Sequence, residues 1–286
     1  MSRGYGRGMT SPSAAATPPA KFEIFRGLHH RDRPLVLPNA WDFASAALLA
    51  NEGFAAIGTT SLGVAAAAGR TDGAGVTKAE TFASARRLAR LPIPVTVDIE
   101  AGFDERPGAV ADFAGQLAAC GIAGVNLEDG RLGSALAAPE HQAALIAAVK
   151  ERTPELFVNA RVDSYWLGLD HRSTHDRVRR YAAAGADGVF VPGLTDPARI
   201  EQVVAASEVP VNVLYSADGP GLATLTELGV RRISTGSLLY RAALSAALDV
   251  ARAVRHDASI PPGIVSYGEI QRLLPAPVET SRGCSS

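Results

Sequence analysis

Apolar runs of three to six residues alternate along this chain with stretches of helical periodicity, and the alternation is regular. Leu35-Val36-Leu37 leads to a helical pattern over 42–51. Ala55 to Thr59 is followed, after a long connection, by 78–90; Val95 to Ile99 by 109–119; Gly124 to Glu128 by 140–150. Leu156 to Arg161 precedes 174–184, Gly188 to Val191 precedes 197–206, Val211 to Leu214 precedes 221–228, and Arg232 to Thr235 precedes 238–254. Short β-branched runs separated by helical patterns read as buried parallel strands joined by crossover helices. Eight such units in order is the number that closes a (β/α)8 barrel. Gly121, Gly185 and Gly229 each stand just past a helix and just before a strand, where a left-handed cap is expected. An open doubly wound sheet would alternate in the same way, but its G-x-G-x-x-G fingerprint after a first strand is missing. The predicted fold class is therefore α/β, a TIM barrel over 21–258. It follows an unstructured arm over 1–20 and precedes a C-terminal helical extension and tail over 259–286.

Composition narrows the classes of function. The chain has 286 residues with 47% hydrophobic positions, enough for one barrel with a sizeable core. No apolar run reaches the roughly 18–20 uncharged residues of a membrane span. With 28 basic against 29 acidic residues the net charge is -1, so no global field favours nucleic acid or an anionic membrane. Cys120 and Cys284 cannot make a disulfide framework, and a reduced, cytoplasmic protein is expected.

Chemistry concentrates where the predicted strands end. Val95-Thr96-Val97-Asp98-Ile99-Glu100 places two acids two residues apart, on one side of a strand of period two, and Glu128 closes the next apolar run. Carboxylates at the carboxyl ends of parallel strands suit a hard cation, so Asp98, Glu100 and Glu128 are the predicted ligands of Mg²⁺, with Mn²⁺ as the alternative, held directly or through retained waters. Thr60-Ser61-Leu62-Gly63 reads as a small-residue turn whose amides cradle a carboxylate or phosphonate. Arg161 can pair with a carboxylate or offset developing enolate charge, although Asp163, two residues on, competes for it as a structural partner. Trp41 and Asn212 also fall at predicted strand ends; Asp72 sits in a Thr71-Asp72-Gly73 turn, where site and turn roles weigh equally. Trp41, Thr60, Ser61, Gly63, Arg161 and Asn212 are the expected substrate-binding set, and Arg161, Asp72 and Glu128 the expected catalytic set. The histidines at 29, 30, 171 and 175 read as solvated.

As an ordered set, Pro38-Asn39-Ala40-Trp41-Asp42, Thr60-Ser61-Leu62-Gly63-Val64-Ala65, Thr71-Asp72-Gly73, Val97-Asp98-Ile99-Glu100-Ala101-Gly102, Asn126-Leu127-Glu128-Asp129, Asn159-Ala160-Arg161-Val162-Asp163 and Gly229-Val230-Arg231-Arg232-Ile233-Ser234 resemble the isocitrate lyase/phosphoenolpyruvate mutase superfamily. The resemblance implies a Mg²⁺-dependent barrel that makes or breaks C–C or P–C bonds in small keto or hydroxy acids through an enolate. It implies that Ser61 and Gly63 bind the substrate carboxylate, that Asp72, Asp98, Glu100 and Glu128 surround the metal, and that Arg161 faces the enolate oxygen. It also implies a dimer or dimer of dimers whose last helix is exchanged. The lyase segment Lys-Lys/Arg-Cys-Gly-His is absent: Glu128-Asp129 is followed by Gly130-Arg131-Leu132-Gly133-Ser134, and Cys120 lies on the wrong side of its strand. The Lys-rich mutase loop is missing too. What remains is a resemblance to members that lack the thiol, which implies a Mg²⁺-dependent lyase of a small α-keto or 2-hydroxy acid, oxaloacetate decarboxylase-like or another C–C lyase. A phosphonopyruvate mutase or P–C hydrolase, with Arg70 or Arg131 as the extra cation, stays open, as does a non-catalytic metabolite-binding barrel.

Overall fold

The computed structural model describes residues 20–274; the expectations for the arm over 1–19, for the tail from 275 and for Cys284 lie outside them. The first helix, α1 (Lys21–Leu28), is one that the periodicity did not reveal. Strands β1 (Leu35–Leu37) and β2 (Asn39–Ala40) follow, split by Pro38, which has no N–H to donate. Helix α2 (Phe43–Asn51) is opened by a capping box between Asp42 and Ser45. Next come β3 (Ile57–Thr59), α3 (Ser61–Ala67), α4 (Lys78–Leu88), β4 (Val95–Asp98), α5 (Pro107–Ala119) and β5 (Gly124–Glu128). A small hairpin, β6 (Gly130–Arg131) with β7 (Ala135–Leu136), precedes α6 (Pro139–Arg152). Then β8 (Phe157–Arg161), α7 (Thr174–Ala183), β9 (Gly188–Val191), α8 (Pro197–Ala206), β10 (Val211–Leu214), α9 (Leu222–Glu227), β11 (Arg232–Ser234), α10 (Leu238–Arg255) and α11 (Tyr267–Leu273) complete the order.

All the barrel pairings are parallel, in the order β1-β11-β10-β9-β8-β5-β4-β3-β2. Because β1 and β2 are one strand interrupted at Pro38, pairing with β11 on one side and β3 on the other closes the ring. The expected (β/α)8 barrel is what forms. Gly121, Gly185 and Gly229 all have positive φ, at 93°, 99° and 82°, as their cap positions required. The long connection after β3 holds a further helix, α3, where the sequence suggested a turn.

Two apolar clusters hold the barrel. The larger packs the outward faces of the strands against the helices, with Phe113, Leu117, Leu145, Val149 and Val178 fully covered or nearly so. The smaller joins Phe25 and Leu28 of α1 to Leu35, Leu37, Ala56, Ala123 and Phe157, all at or next to the amino ends of strands. Helix α1 therefore plugs the end of the barrel opposite the acids. His29, expected in solvent, is 2% exposed in this plug. Its ring stacks on Phe157 at 4.3 Å and its Nδ1 lies 2.8 Å from the Phe25 carbonyl. Loss of hydration, with Arg232 nearby, pushes its pKa down to about 3.

The end of the chain departs from the ordinary barrel pattern. Helix α10 has no buried residue and exposes Leu244 and Leu248, whereas α11 reaches back to α2 and packs Leu273 against the main core. Beyond its first turn, where Tyr240 meets Trp41, α10 has little cover among the described residues.

Candidate active site

Strand register assembles the centre of the site. In the parallel ladder Asp98 of β4 stands opposite Asn126 of β5, and Glu128, last of β5, stands opposite Arg161, last of β8. Neighbouring strand ends thus bring acid and guanidinium together. Arg161 Nη1 lies 2.6 Å from Glu128 Oε2 and 3.7 Å from Asp98 Oδ2, while its Nε donates to Asp163 Oδ1 at 2.7 Å. Its Nη2 makes no hydrogen bond among the described residues and remains a donor for a ligand oxygen. Asp163 is both the structural partner the sequence suggested and one wall of the pocket.

The electrostatics are dominated by buried negative charge. Burial raises the pKa of Asp98 against the pull of Arg161. Burial, with repulsion from Asp163, Asp98 and Glu100, pushes Glu128 up to about 8 even though Arg161 opposes it. Burial works against the charge of Arg161, but Glu128, Asp163 and Asp98 together hold it more firmly protonated than a free guanidinium. One arginine does not balance the acids around it. Such an excess of negative potential suits an additional cation.

Glu100 does not sit where period-two geometry placed it. Strand β4 ends at Asp98, and Glu100 takes a left-handed conformation with φ 50°, at a cost of about 1–2 kcal/mol for a residue with a Cβ. The backbone turns so that the Glu100 N–H donates to Asp98 Oδ1 at 3.0 Å. The Glu100 carboxylate reaches sideways instead, accepting from the Gly75 N–H at 2.9 Å and from the Thr77 hydroxyl. It lines a second cavity beside the main one, together with Asp104, Glu105, Arg131 and His141. Among the described residues no three His, Cys, Asp or Glu side chains converge as a ready metal cage.

The main cavity, about 570 Å³, opens at the carboxyl ends of the strands and is lined by Thr60, Ser61, Asp72, Asp98, Glu128 and Arg161 among the expected residues. Trp41, Gly63 and Asn212 are not on its wall. Trp41 meets the Tyr240 ring edge-on at 5.3 Å and lies over Gly63, where an added Cβ would come within 2.8 Å of the Trp41 Cβ. Gly63 is therefore a packing point. Its N–H points to the Thr60 hydroxyl at 3.5 Å, because Thr60 caps α3. Asn212 is 1% exposed and donates to Ser234 Oγ at 3.0 Å inside the barrel. Arg70 turns away toward Glu80, at 3.7 Å.

Other wall residues were not read from sequence as ligand contacts: Trp166, Leu167, Phe190, Leu214, Ser237 and Arg241. Trp166 follows closely on the Arg161-Val162-Asp163 strand end, which is a usable signal. Arg241 sits on a helix with an ordinary amphipathic pattern and gives none. Arg131 lines both cavities and is tied by Nε to Glu105 at 3.1 Å and by Nη1 to the Glu128 and Gly130 carbonyls at 3.1 and 3.0 Å.

Behind the acids lies an internal polar layer. Asn126 Nδ2 donates to Asp98 Oδ2 at 3.3 Å, and Asn126 Oδ1 accepts from Asn159 at 2.9 Å and from Arg232 Nη2 at 3.2 Å. Arg232 is fully buried, and desolvation lowers its pKa to about 9, with Asp98 countering the drop. A second buried network ties Asp129 to Arg177 and Tyr181 at 2.8 and 2.7 Å, and Asp129 Oδ1 accepts the Asp163 N–H at 2.8 Å.

Residues 25–255 match the family described as phosphoenolpyruvate phosphomutase. This chain belongs to the phosphoenolpyruvate mutase/isocitrate lyase superfamily. An uncharacterized protein of Mycobacterium tuberculosis is 47% identical over 252 residues, covering 87% of this chain and 95% of that one. An oxaloacetate decarboxylase of Ectopseudomonas mendocina is 32% identical over 200 residues, 65% of this chain and 68% of that one. The crystal structure of a putative phosphonomutase from Burkholderia cenocepacia is 41% identical with a TM-score of 0.77, covering 81% of this chain and 99% of that one. The superfamily is one of enzymes, lyases and mutases.

Proposed function

We propose that this chain is a Mg²⁺-dependent carbon–carbon lyase that acts on a small α-keto or 2-hydroxy carboxylate through an enolate, in the manner of an oxaloacetate decarboxylase. The observation that carries the reading is the buried group of Asp98, Glu128 and Asp163 around Arg161, with acid in excess of base at the mouth of a cavity. The relative named as an oxaloacetate decarboxylase supports it. Mg²⁺ keeps several waters and takes one or two carboxylates directly, so the absence of a three-acid cage among the described residues does not conflict with it. Asp98 would hold the ion, with Glu128 and Asp72 on the same cavity wall, while Glu100 faces the neighbouring cavity. Mn²⁺ would suit the same oxygen donors. When bound, the ion would supply Lewis-acid polarisation of the substrate carbonyl.

The chain's own residues account for the rest. Ser61 and the free edge of Arg161 can take the substrate carboxylate. As the C–C bond breaks, its electron pair moves toward the adjacent carbonyl oxygen, and the Arg161 guanidinium faces that growing charge. Asp163 and Glu128 fix the plane of the guanidinium, so it needs no reorganisation during the step. Release of CO₂ requires no general base, which accords with a loop that lacks the thiol, and the enolate left behind takes a proton from water at carbon to give the keto acid.

Mixing the protein with oxaloacetate and Mg²⁺ and following pyruvate and CO₂ tests the assignment. Turnover well above the metal-catalysed background, abolished in Asp98→Ala, is the expected result; no turnover refutes the decarboxylase reading. A second reading, P–C bond chemistry, has one observation in its favour. Arg131 and Arg241 both line the cavity, and phosphonates call for extra cations. Phosphate release from phosphonopyruvate would select it.

A further inference from the structure

The cavity mouth is chemically divided. Asp98 and Glu128 at the ends of β4 and β5, with Arg161 and Asp163 at the end of the neighbouring β8, form the polar centre, while the loop after β8 and the carboxyl ends of β9 and β10 add an apolar stretch: Trp166, Leu167, Phe190, Pro192 and Leu214. Register makes this wall continuous. Phe190 of β9 stands opposite Arg161 of β8, and the Arg161 guanidinium lies 5.9 Å from the centre of the Phe190 ring. The loop carrying Trp166 is seated on Gly193, whose added Cβ would come within 3.1 Å of the Trp166 nitrogen, so that loop rests beside Pro192. Leu214 is pressed over Gly236, where a Cβ would meet it at 2.7 Å.

A substrate made of carboxylate and carbonyl groups alone would use one side of this space and leave the other against water. The cavity of about 570 Å³ is in the range that takes ligands well above pyruvate in size, so a pyruvate-sized acid fills a small part of it. Trp166 is 55% exposed and lines the cavity together with Leu167, Phe190 and Leu214, the apolar lining with a few polar groups that small-molecule sites show.

We infer that the natural substrate carries an apolar substituent next to the reacting keto or hydroxy acid, an aliphatic branch or a ring that lies along Trp166, Leu167, Phe190 and Leu214. This rests on the lyase reading of the same site and deepens it. Cleavage would release an α-keto acid that bears the substituent, so product-type ligands probe the wall without turnover. Each methylene buried there tightens binding about fourfold.

The experiment is calorimetric titration of the full chain with pyruvate, 2-oxopentanoate, 4-methyl-2-oxopentanoate and phenylpyruvate, each with and without Mg²⁺. The expected result is Mg²⁺-dependent binding that strengthens along the series, by roughly 15-fold between pyruvate and 2-oxopentanoate. In Trp166→Ala and Leu214→Ala the ratio between those two ligands should fall toward one. Mg²⁺-dependent binding of pyruvate with a flat or falling series would overturn the inference and leave the lyase reading intact. A rising series indifferent to Mg²⁺ would support the apolar wall and count against the metal. Failure of every acid to bind under both conditions would overturn both.

Discussion

Asp98 is the residue on which the proposed chemistry turns, because it ends β4 on the wall of the main cavity, whereas the Glu100 carboxylate is held by Gly75 and Thr77. Asp98→Ala should lower Mg²⁺-dependent turnover by about 10³-fold or more, the rate equivalent of several kcal/mol of lost Lewis-acid stabilisation, while thermal unfolding stays cooperative. Full activity of the unmutated protein in excess EDTA would sink the metal assignment. Glu128 gives a second prediction through its pKa of about 8. The folded metal-free protein binds this proton more tightly than the unfolded chain, whose Glu titrates near the model-peptide value of about 4.3. Between those two values the native state holds more protons, so stability is greatest at the acid end and falls as pH rises through 8. Asp98, Glu100 and Asp129 shift in the same direction and add to the trend. Calorimetric Tm of the metal-free protein should therefore decline by several degrees from pH 5.5 to 8.5, on the order of what a few kcal/mol produces. Glu128→Gln should flatten the slope, and added Mg²⁺ should restore most of the loss at the alkaline end. A Tm that rises over this range would contradict the sign.

At the scale of elements, the hairpin after β5 fixes the site more tightly than its length suggests. Gly130 packs against Asp163, and a Cβ there would lie 2.5 Å from Asp163 Oδ2. Gly130→Ala must push the carboxylate away from Arg161, at a cost of about 1–3 kcal/mol typical of overpacking. Urea unfolding should register that loss, and kcat should drop by at least tenfold, since Arg161 loses its fixed plane. Kinetics like those of the unmutated chain would mean that Asp163 has slack. The same scale explains Glu100. A strand pattern in sequence carries no mark of where the strand stops, and the left-handed turn at Glu100 and at Gly102 (φ 97°) takes the second acid out of register with the first. Helix α3 was equally hidden, because Ser61-Leu62-Gly63-Val64-Ala65-Ala66-Ala67 is too short and too small-sided for a clear period.

For the whole molecule, α10 presents an exposed apolar face. It is 18 residues long with no buried side chain, Leu244 and Leu248 are 54% and 50% exposed, and Val254 is 65% exposed. An apolar stripe of that length is rarely left to water, and we propose that a second copy of this chain covers it in a dimer or tetramer with two-fold symmetry. Light scattering at micromolar concentration should give a mass of at least two chains, and Leu244→Asp with Leu248→Asp should yield monomers. A monomeric intact chain would refute the proposal. Among the described residues no helix is long and apolar enough to cross a membrane.

What the sequence determined by itself is local. Alternation of apolar runs with helical periods, glycine at the caps and acids at strand ends are all written within a few residues of one another, and they led to the barrel and to Asp98, Glu128 and Arg161. Tertiary structure decided what depends on closing the ring. The ladder set Glu128 against Arg161, and the bend after β4 sent Glu100 to the neighbouring cavity. Closure also buried His29 beneath α1 and set Asn212 and Gly63 off the wall of the main cavity. The apolar wall joins Trp166 and Leu167 of the loop after β8 to Phe190 of β9 and Leu214 of β10, and the same cavity is lined by Leu62, more than a hundred positions before Trp166 in the chain. No local pattern relates them, because the spacing between such residues in space is fixed by strand pairing and not by their separation along the sequence.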